Sequence, residues 1–548
     1  MRPRPRSTDP GPSPRSDDQG PPAGPRPVAA TAGAGVLAGS TGAKALAGAA
    51  GLGVLAGVAG VVVAELVATV TGPRGAPLVA VGAAVIDATP TPVKEFAVRT
   101  FGTADKPLLL GGIGALLVLL AATAGALARR HPPAGLLGAV GLGAVAAVAA
   151  LTRPDARPVD VLPALAGALV AATVLSFLLR AQRGKSSPAP DDGSGPVPVP
   201  RRTLLRDVPL VLGGILLVGS GAAALRRLTA RDAARSREAV RLPAPASPAS
   251  PLPAGVGPDF HTRNADFYRV DTALTVPRLD PREWRLRLHG MVDRPVELRF
   301  DELLGRDLVE RDITLSCVSN EVGGPYVGTA RWLGAPLAPL LRAAGIRPGA
   351  DQLVARSAEG MTIGTPLETV LDGRDVLLAV GMNGEPLPFT HGFPVRMLTP
   401  GVFGYAGSCK WLVELEVSTF AAFDAYWVRR GWARQAPVRT ASRIDRPTPF
   451  ARLDAGPVTV AGVAWAQHRG IAAVEVAVDD GPWRPATLLP APSTDTWVQW
   501  RYRWAARPGQ HNLRVRATDR TGATQPEERR PPFPDGATGW HTIRVTVG

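Results

Sequence analysis

The chain divides near residue 225 into two parts that differ in their pattern of apolar and polar residues. The first part contains long uncharged runs, and a helix that crosses a bilayer needs about 20 apolar residues in succession. Five runs reach or approach that length: Ala45–Ala64, Pro107–Leu127, Ala134–Leu151, Val161–Leu179 and Val208–Leu225. Residues 31–228 are therefore predicted to form an all-α transmembrane bundle of about five helices.

A sixth apolar run, Ala76–Ile86, is too short to cross a bilayer and is typical of an interfacial or re-entrant segment. Lys and Arg accumulate in the cytoplasmic loops of membrane proteins. With the N-terminal tail inside, five spans keep Arg129–Arg130 and the basic segment 180–206 inside and leave the second part of the chain outside. Six spans would put that basic segment on the outer side, so five are favoured.

The last apolar run follows Arg201-Arg202-Thr203-Leu204-Leu205, which resembles a twin-arginine export signal placed inside the chain. Ordinary basic anchoring of a helix explains these residues equally well. Glu65 abuts the first run, where a carboxylate is either functional or simply reaches the membrane interface. A haem between helices needs paired axial ligands, and His131 is the only His in this part, so no haem is predicted there.

Outside the bundle, four further regions are predicted. Residues 1–30 are rich in Pro, Arg and Ser and are predicted to be a disordered tail, and residues 229–258 are predicted to be a linker. Residues 259–425 mix strand-like with helix-like segments, as in an α+β domain. Strands are predicted at Trp284–Leu288, Val296–Phe300, Asp351–Arg356, Val376–Val380 and Val395–Leu398, and a helix at Leu333–Ala344.

Residues 450–548 contain only short alternating runs separated by turn sequences such as Asp479-Asp480-Gly481. This pattern predicts an immunoglobulin-like β-sandwich. Its strands are predicted at Val458–Ala464, Ala472–Val478, Trp497–Trp504, His511–Thr518 and His541–Val547. A sandwich at the end of an enzyme is more often a packing or dimerising module than a catalytic one.

Charge and cysteine content exclude several classes of protein. The net charge of +15 is compatible with nucleic-acid binding, but the arginines are scattered or lie at membrane edges, so no nucleic-acid partner is predicted. The chain has two cysteines, Cys317 and Cys409, which excludes a disulfide scaffold and any four-Cys zinc or iron–sulfur site.

Cys317 lies where a predicted strand, within Ile313–Asn320, runs into a turn. Taken alone, it is a small buried hydrophobe, one half of a Cys317–Cys409 disulfide, or a reactive or metal-bound thiolate. Three further segments carry Gly-rich turns or basic side chains: 262–269, 391–396 and 404–412. Such turns suit an anionic cofactor that bears phosphate, and a soft thiolate suits a metal such as molybdenum.

These motifs, in this order, resemble the molybdopterin oxidoreductases of the sulfite oxidase superfamily from about Pro258 to Phe420, and the whole chain is similar to the membrane-anchored actinobacterial members. The sandwich resembles the dimerisation domain of that family. The resemblance implies a molybdenum–molybdopterin cofactor with Cys317 as the metal ligand. Asn383 has two equally good interpretations, the first residue of a plain Asn-Gly turn or a cofactor contact. The implied cofactor contacts are Asn264, Tyr268, Arg269, Cys317, Asn383, His391, Arg396, Ser408, Cys409 and Lys410.

The chain departs from the family pattern at two positions. Glu321 lies where typical sulfite oxidases have basic residues, and Met361 lies where they usually place a catalytic Tyr. The resemblance thus implies two-electron oxygen-atom transfer on a small substrate, sulfur-containing or not, with sulfite itself in doubt. Arg263 and Arg269, with Cys317, are the predicted catalytic residues, the two arginines orienting the substrate.

The expected partners are the membrane, a separate electron-transfer protein or quinone, and a second copy of the chain through the C-terminal domain. The catalytic domain is expected on the outer side of the cell membrane. The alternative is a cofactor-free exported binding or scaffold module that contains a Cys317–Cys409 disulfide.

Overall fold

The computed structural model describes residues 34–90, 93, 96–97, 100–101, 104–153, 156–183 and 202–548. The predicted tail 1–30 lies outside these residues, as do most of the basic segment between the last two predicted spans and Arg201 of the twin-arginine sequence.

Long helices dominate the first part of the chain. Among the described residues, five of them are long and apolar enough to cross a membrane, which confirms that prediction. The twelve-residue helix over the sixth apolar run is too short to span. The helices are α1 (Ala34–Thr71), α2 (Pro77–Ala88), α3 (Asp105–Arg130), α4 (Pro132–Leu151), α5 (Leu162–Arg183) and α6 (Arg202–Ala239).

Glycines allow α1 to pack closely against its neighbours. A Cβ on Gly53 would lie 2.1 Å from the carbonyl oxygen of Ala121 in α3, and one on Gly60 would lie 2.6 Å from that of Gly167 in α5. Small residues at helix contacts are the usual means of association in a membrane, where burial of apolar surface supplies little driving force. Helix α1 is therefore central to the bundle.

Helix α6 continues to Ala239, so the first eleven residues of the predicted linker 229–258 are helical. These residues are mainly Ala and Arg, which favour helix. The remainder is also held in place, because the N–H of Ala246 donates to Leu308 at 2.7 Å and that of Glu310 donates to Ser247 at 2.8 Å. The segment lies along the next domain rather than forming a free linker.

Two sheets with short helices form the α+β domain, as predicted. One sheet has the order β2-β1-β10-β5-β6, and the other has the order β3-β4-β7-β8 with β9 paired to β7. The strands are β1 (Arg285–Gly290), β2 (Val296–Arg299), β3 (Val309–Ser316), β4 (Val327–Pro336), β5 (Gln352–Ser357), β6 (Thr362–Pro366), β7 (Leu377–Met382), β8 (Glu385–Pro386), β9 (Arg396–Leu398) and β10 (Leu412–Ser418). The helices are α7 (Phe300–Leu304), α8 (Leu337–Ala344), α9 (Leu367–Leu371) and α10 (Gly404–Gly407).

The predicted helix Leu333–Ala344 is wrong at its start, because Leu333–Pro336 belongs to β4. Residues of β4 pair with both β3 and β7, and Trp332 is completely buried. Long-range pairing therefore prevails over the helical pattern, and α8 begins directly after Pro336.

The C-terminal unit consists of two sheets around one core, with the orders β11-β13-β17-β16 and β12-β19-β18-β14-β15. All five predicted strands are present. The predicted boundary at residue 450 is late, because β11 precedes it and only Ser442 and Ile444 of that polar strand are buried. The strands are β11 (Ala441–Arg446), β12 (Arg452–Leu453), β13 (Gly456–Trp465), β14 (Ile471–Val478), β15 (Arg484–Pro485), β16 (Thr487–Leu488), β17 (Val498–Ala506), β18 (Gly509–Asp519) and β19 (His541–Val547).

The α+β domain contacts one end of the helical bundle. Asp87, at the end of α2, accepts hydrogen bonds from Tyr426 and Arg430, and Lys106, in the first turn of α3, binds Asp271. Arg129 and Arg130 lie at the opposite end of α3, about 35 Å away at 1.5 Å per residue. The basic end of α3 is thus remote from the α+β domain.

Candidate cofactor site

Cys317 directly follows β3 and is held in a tight loop. Its N–H donates to the carbonyl of Tyr326 at 2.9 Å, and its own carbonyl accepts from the N–H of Asn320 at 3.1 Å. Burial raises the pKa of the Cys317 thiol above its usual value, although hydrogen bonds from Ser319 and the charge of Lys410 act in the opposite direction. A thiolate at this position therefore needs a further positive charge, such as a metal ion, to stabilise it.

Arg396 begins β9 and carries a buried charge. Its Nε donates to Ser408 Oγ at 2.9 Å, its Nη1 donates to the carbonyl of His391 at 3.4 Å, and its guanidinium lies 5.4 Å from the ring centre of Trp332. The residue is 6 % exposed, and burial lowers its pKa to about 10. No Asp or Glu of the described chain forms an ion pair with it. An uncompensated buried charge is costly, so this guanidinium fits an anionic ligand.

His391 is buried beside Arg396 and is tied to the N-terminal stretch of the domain. Its Nε2 lies 3.0 Å from the carbonyl oxygen of Asn264. Burial and the charge of Arg396 lower the pKa of His391 to about 4, so the imidazole is neutral near pH 7. Asn264 donates in turn to Glu385 at 2.6 Å. The structure therefore brings the predicted contacts Asn264, His391 and Arg396 together.

Asn383 occupies the two-residue turn between β7 and β8. It has a φ of +52° and is followed by Gly384 at +81°, the conformation that favours Asn-Gly in hairpins. Its amide donates to the carbonyl of Thr262 and to Asn264 Oδ1, both at 2.9 Å, and its Oδ1 accepts from the N–H of Arg331 at 2.9 Å. Both of its amide hydrogens thus serve protein groups, as the turn interpretation expects.

Gly392 and Tyr268 complete the surroundings of the loop that ends at Lys410. Gly392 has a φ of +111°, and a Cβ there would lie 3.0 Å from the Cα of Lys410, so glycine lets these two segments meet. The hydroxyl of Tyr268 lies 3.9 Å from the position of a Cβ on Gly404. Burial and the neighbouring Cys317 raise the pKa of Tyr268 above its usual value, so its phenol stays protonated.

Lys410 is almost fully buried and binds a carboxylate. Its Nζ lies 2.7 Å from Asp271 Oδ2 and 3.4 Å from the carbonyl of Thr390. Burial, opposed by Asp271, lowers the pKa of Lys410 to about 8. Burial alone would raise the pKa of Asp271, but Lys410 and Lys106 hold it below its usual range. Arg269 also binds this carboxylate, at 3.1 Å.

The two arginines predicted to orient the substrate bind different carboxylates. Arg269 points towards Asp271, whereas the side chain of Arg263 is 83 % exposed and pairs with Asp266 at 2.6 Å. Arg263 also lines a cavity of about 590 Å³ together with His261, Asn264, Glu310, Arg331, Asn383, Gly384 and Glu385.

The predicted disulfide of the alternative is wrong, because the thiols of Cys317 and Cys409 are both free. Cys409 packs within the hydrophobic core beneath β10, together with Leu412 and Leu415. Its carbonyl accepts from the N–H of Met397 at 2.9 Å, so its backbone joins the loop to β9. Cys409 is thus placed next to Ser408 and Lys410 in the loop, with its thiol in the core.

The two positions that depart from the family pattern have different surroundings. Glu321 is exposed, and Met361 packs against the core from the turn between β5 and β6. The carbonyl of Met361 accepts from the N–H of Ser357 at 2.9 Å.

Sequence reasoning missed Asp271, Lys106 and Trp332. Asp271 carries no signal in the sequence, because its burial and its cationic partners are visible only in the structure. Lys106 carries no such signal, because it lies at the start of an apolar run, where Lys is normally a membrane anchor.

Comparison with known proteins bears on the family of the chain. The family model described as "Oxidoreductase molybdopterin binding domain" matches residues 273–427, which include Cys317, His391, Arg396 and Lys410. Mitochondrial sulfite oxidase of Mus musculus is 30 % identical over 346 residues, which are 53 % of this chain and 61 % of that protein. Sulfite oxidase of Gallus gallus is 30 % identical over 321 residues, which are 50 % of this chain and 69 % of that protein.

Among solved structures, the sulfane dehydrogenase SoxCD from Paracoccus pantotrophus matches 50 % of this chain and 77 % of its own, with 26 % identity and a TM-score of 0.44. The chain spans about three fifths of the length of the mitochondrial relatives it matches, for example 64 % of the Homo sapiens protein. It covers more than two thirds of the Gallus gallus enzyme at 30 % identity. This chain therefore belongs to the sulfite oxidase superfamily of molybdopterin oxidoreductases.

Proposed function

We propose that the chain is a membrane-anchored molybdenum-cofactor enzyme that performs two-electron oxygen-atom transfer on a small substrate, with Cys317 as the protein ligand of molybdenum. The observation that carries this proposal is the buried guanidinium of Arg396, which has no carboxylate partner in the described chain. An anion is needed there, and the phosphate of a pterin cofactor would accept two parallel hydrogen bonds from Arg.

The other residues around Arg396 suit the same ligand. Neutral His391 and the hydroxyls of Tyr268 and Ser408 are available as uncharged hydrogen-bonding groups, and Lys410 adds a second buried cation. The backbone of Ser408–Lys410 would contribute further contacts, with Asn264 and Asn383 fixing the shape of the N-terminal wall.

When bound, the cofactor supplies the redox chemistry and the exchange of oxygen at its metal. The residues of the chain would bind the cofactor and fix its position. The loop that closes on Tyr326 fixes the position of Cys317, and burial keeps its thiol from solvent until a metal stabilises the thiolate. Arg396 and Lys410 hold the anionic end of the cofactor.

The substrate is proposed to be small, and a sulfite oxidation is disfavoured by Glu321 and Met361. Arg269 is the better of the two candidates for orienting an anionic or sulfoxide-like substrate. It lies close enough to His391 to lower the pKa of that imidazole, whereas Arg263 pairs with Asp266 at the surface. Alanine at Arg269 should then change KM or kcat while molybdenum is retained.

The catalytic domain is proposed to lie on the outer side of the cell membrane. Asp87 and Lys106, which contact that domain, lie at the end of the bundle opposite Arg129 and Arg130. Positive charge of this kind marks the inner side. Electrons would pass to a separate protein or a quinone, and the C-terminal unit is proposed to be an immunoglobulin-like domain that forms a homodimer.

Metal analysis of the full chain, purified from a cofactor-competent host, tests the central proposal. We expect about one molybdenum per chain in the wild type and its loss in Cys317→Ser. Cys409→Ala should retain the metal, because that thiol faces the core. A wild type without molybdenum, or a Cys317→Ser variant that keeps it, would refute the assignment.

A further inference from the structure

A lysine of the membrane bundle enters the catalytic domain. Lys106, in the first turn of α3, donates from its Nζ to Asp271 Oδ1 at 2.7 Å and to the carbonyl oxygens of Asp271 and Ala273 at 3.0 and 2.8 Å. Helix α2 packs against Leu274, which follows Ala273, since a Cβ on Gly82 would lie 3.0 Å from its side chain. The segment 271–274 is therefore docked directly on the bundle.

Asp271 connects this docking point with the candidate cofactor site. Its side chain is 2 % exposed and binds three cations, which come from the membrane bundle, the N-terminal stretch and the cofactor loop. Lys106 binds one carboxylate oxygen, whereas Arg269 and Lys410 share the other. The position of Lys410 therefore depends on a carboxylate that a membrane helix helps to hold.

The charge balance of this cluster distinguishes it from an ordinary surface ion pair. Lys106, Arg269 and Lys410 contribute three positive charges against the single carboxylate of Asp271. Glu359, which accepts a hydrogen bond from Thr272 at 2.8 Å, also interacts with this cluster, and burial raises its pKa, which favours its uncharged form. The cluster keeps a positive excess that suits an anionic cofactor, and the membrane helix contributes to it.

A second contact between the bundle and the domain, at Asp87, has no hydrogen-bonded connection to the candidate cofactor site among the described residues. Asp87 accepts from the hydroxyl of Tyr426 at 2.6 Å and from Arg430 at 2.7 Å. Neither Tyr426 nor Arg430 hydrogen-bonds to any predicted cofactor contact in the described chain. Asp87 thus provides a matched comparison, a docking contact of similar length that does not involve the site.

We propose that Lys106 is a positioning residue for the cofactor, acting through Asp271 on Lys410. The proposal rests on the proposed function. The helical bundle is then a part of the active-site architecture as well as an anchor, and breaking the contact at Lys106 loosens the hold on the cofactor.

The test uses the full chain in detergent and compares Lys106→Met, Lys106→Arg and Asp87→Asn. Each variant is assayed for molybdenum per chain and for the rate at which molybdenum is lost after purification. We expect Lys106→Met to lose the metal about tenfold faster than the wild type, which corresponds to about 1.4 kcal/mol. Lys106→Arg keeps a cation that binds carboxylates and should lose it within about threefold of the wild-type rate. Asp87→Asn should match the wild type.

Thermal unfolding of the cofactor-free chains separates this role from a purely structural one. If Lys106→Met and Asp87→Asn destabilise the cofactor-free chain alike but only Lys106→Met speeds metal loss, the inference stands. Equal rates of metal loss in the two variants, or a wild-type rate in Lys106→Met, would overturn it. Lys106→Gln replaces Lys106→Met if the latter does not accumulate. A wild type without molybdenum would instead overturn the proposed function, and this inference with it.

Discussion

Replacing Arg396 by Met should have opposite effects on the cofactor-free and the cofactor-loaded chain. Burial lowers the pKa of Arg396 to about 10, and the difference from its usual value corresponds to about 3 kcal/mol. Because the folded state binds this proton less tightly than the unfolded state, the charge destabilises the cofactor-free fold at every pH below about 10. Methionine removes that cost and fills much of the same volume.

The variant also loses favourable contacts, and these set the net result. The hydrogen bond to Ser408, the longer one to the His391 carbonyl and the interaction with the Trp332 ring together contribute about 2 kcal/mol. About 1 kcal/mol then remains in favour of Arg396→Met, or a rise of about 2–4 °C in the Tm of a domain of this size. In the loaded chain, loss of a buried charge-assisted contact should weaken cofactor binding by about 2–5 kcal/mol.

The assay is thermal unfolding of both variants from hosts with and without cofactor synthesis, together with molybdenum content. Arg396→Lys, which keeps a charge but cannot form the planar paired contact, is the control. A marked fall in the Tm of cofactor-free Arg396→Met would refute the reasoning. It would mean that Arg396 has a partner in the empty site, since breaking a buried ion pair costs about 3–5 kcal/mol.

Two further predictions concern the same site. Gly392→Ala should lower the molybdenum content, because its Cβ would lie 3.0 Å from the Cα of Lys410. The control is Gly384→Ala, whose Cβ would have no atom within 4 Å and which should show only backbone strain. Equal molybdenum content in the two variants would contradict this prediction. The free energy of unfolding should fall as the pH drops from about 6.5 towards 4, because the pKa of His391 is lowered to about 4 and the unfolded chain binds the proton more tightly. His391→Gln should remove up to about 3 kcal/mol of this decrease in the free energy of unfolding. The measurement is denaturant unfolding at a series of pH values. An unchanged pH dependence in the variant would show that His391 does not contribute.

The local pattern of apolar and polar residues was sufficient to predict the strands that bury one face and the helices that are long and apolar enough to cross a membrane. The apolar runs and the alternating strands of the C-terminal unit needed no knowledge of distant partners. The helix prediction for Leu333–Pro336 was wrong because these residues pair with β3 and β7 in spite of their helical spacing of apolar residues. The linker prediction was wrong because main-chain hydrogen bonds to Leu308 and Glu310 hold the segment beside the start of β3. Nothing in a Pro-rich composition indicates these bonds.

The candidate site was predictable where its residues form short motifs and not where it depends on long-range contacts. His391, Arg396, Ser408 and Lys410 could be proposed as cofactor contacts because they lie in compact Gly-rich segments that resemble the motifs of the family. Asp271 and Lys106 were missed because 165 residues separate them and each is ordinary in its own surroundings. The state of Cys317 could not be derived from the residue alone, since burial and neighbouring charges decide its chemistry.

The contact between Lys106 and Asp271 also implies an order of events during biosynthesis. A chain is made from its N-terminus, so the first turn of α3 is in place before the catalytic half has been synthesised. The contact can close only after that half has arrived on the same side of the membrane as the start of α3. Cysteines in place of Lys106 and Asp271, joined by a bifunctional thiol reagent, would therefore report when the catalytic half reaches that side in the proposed topology.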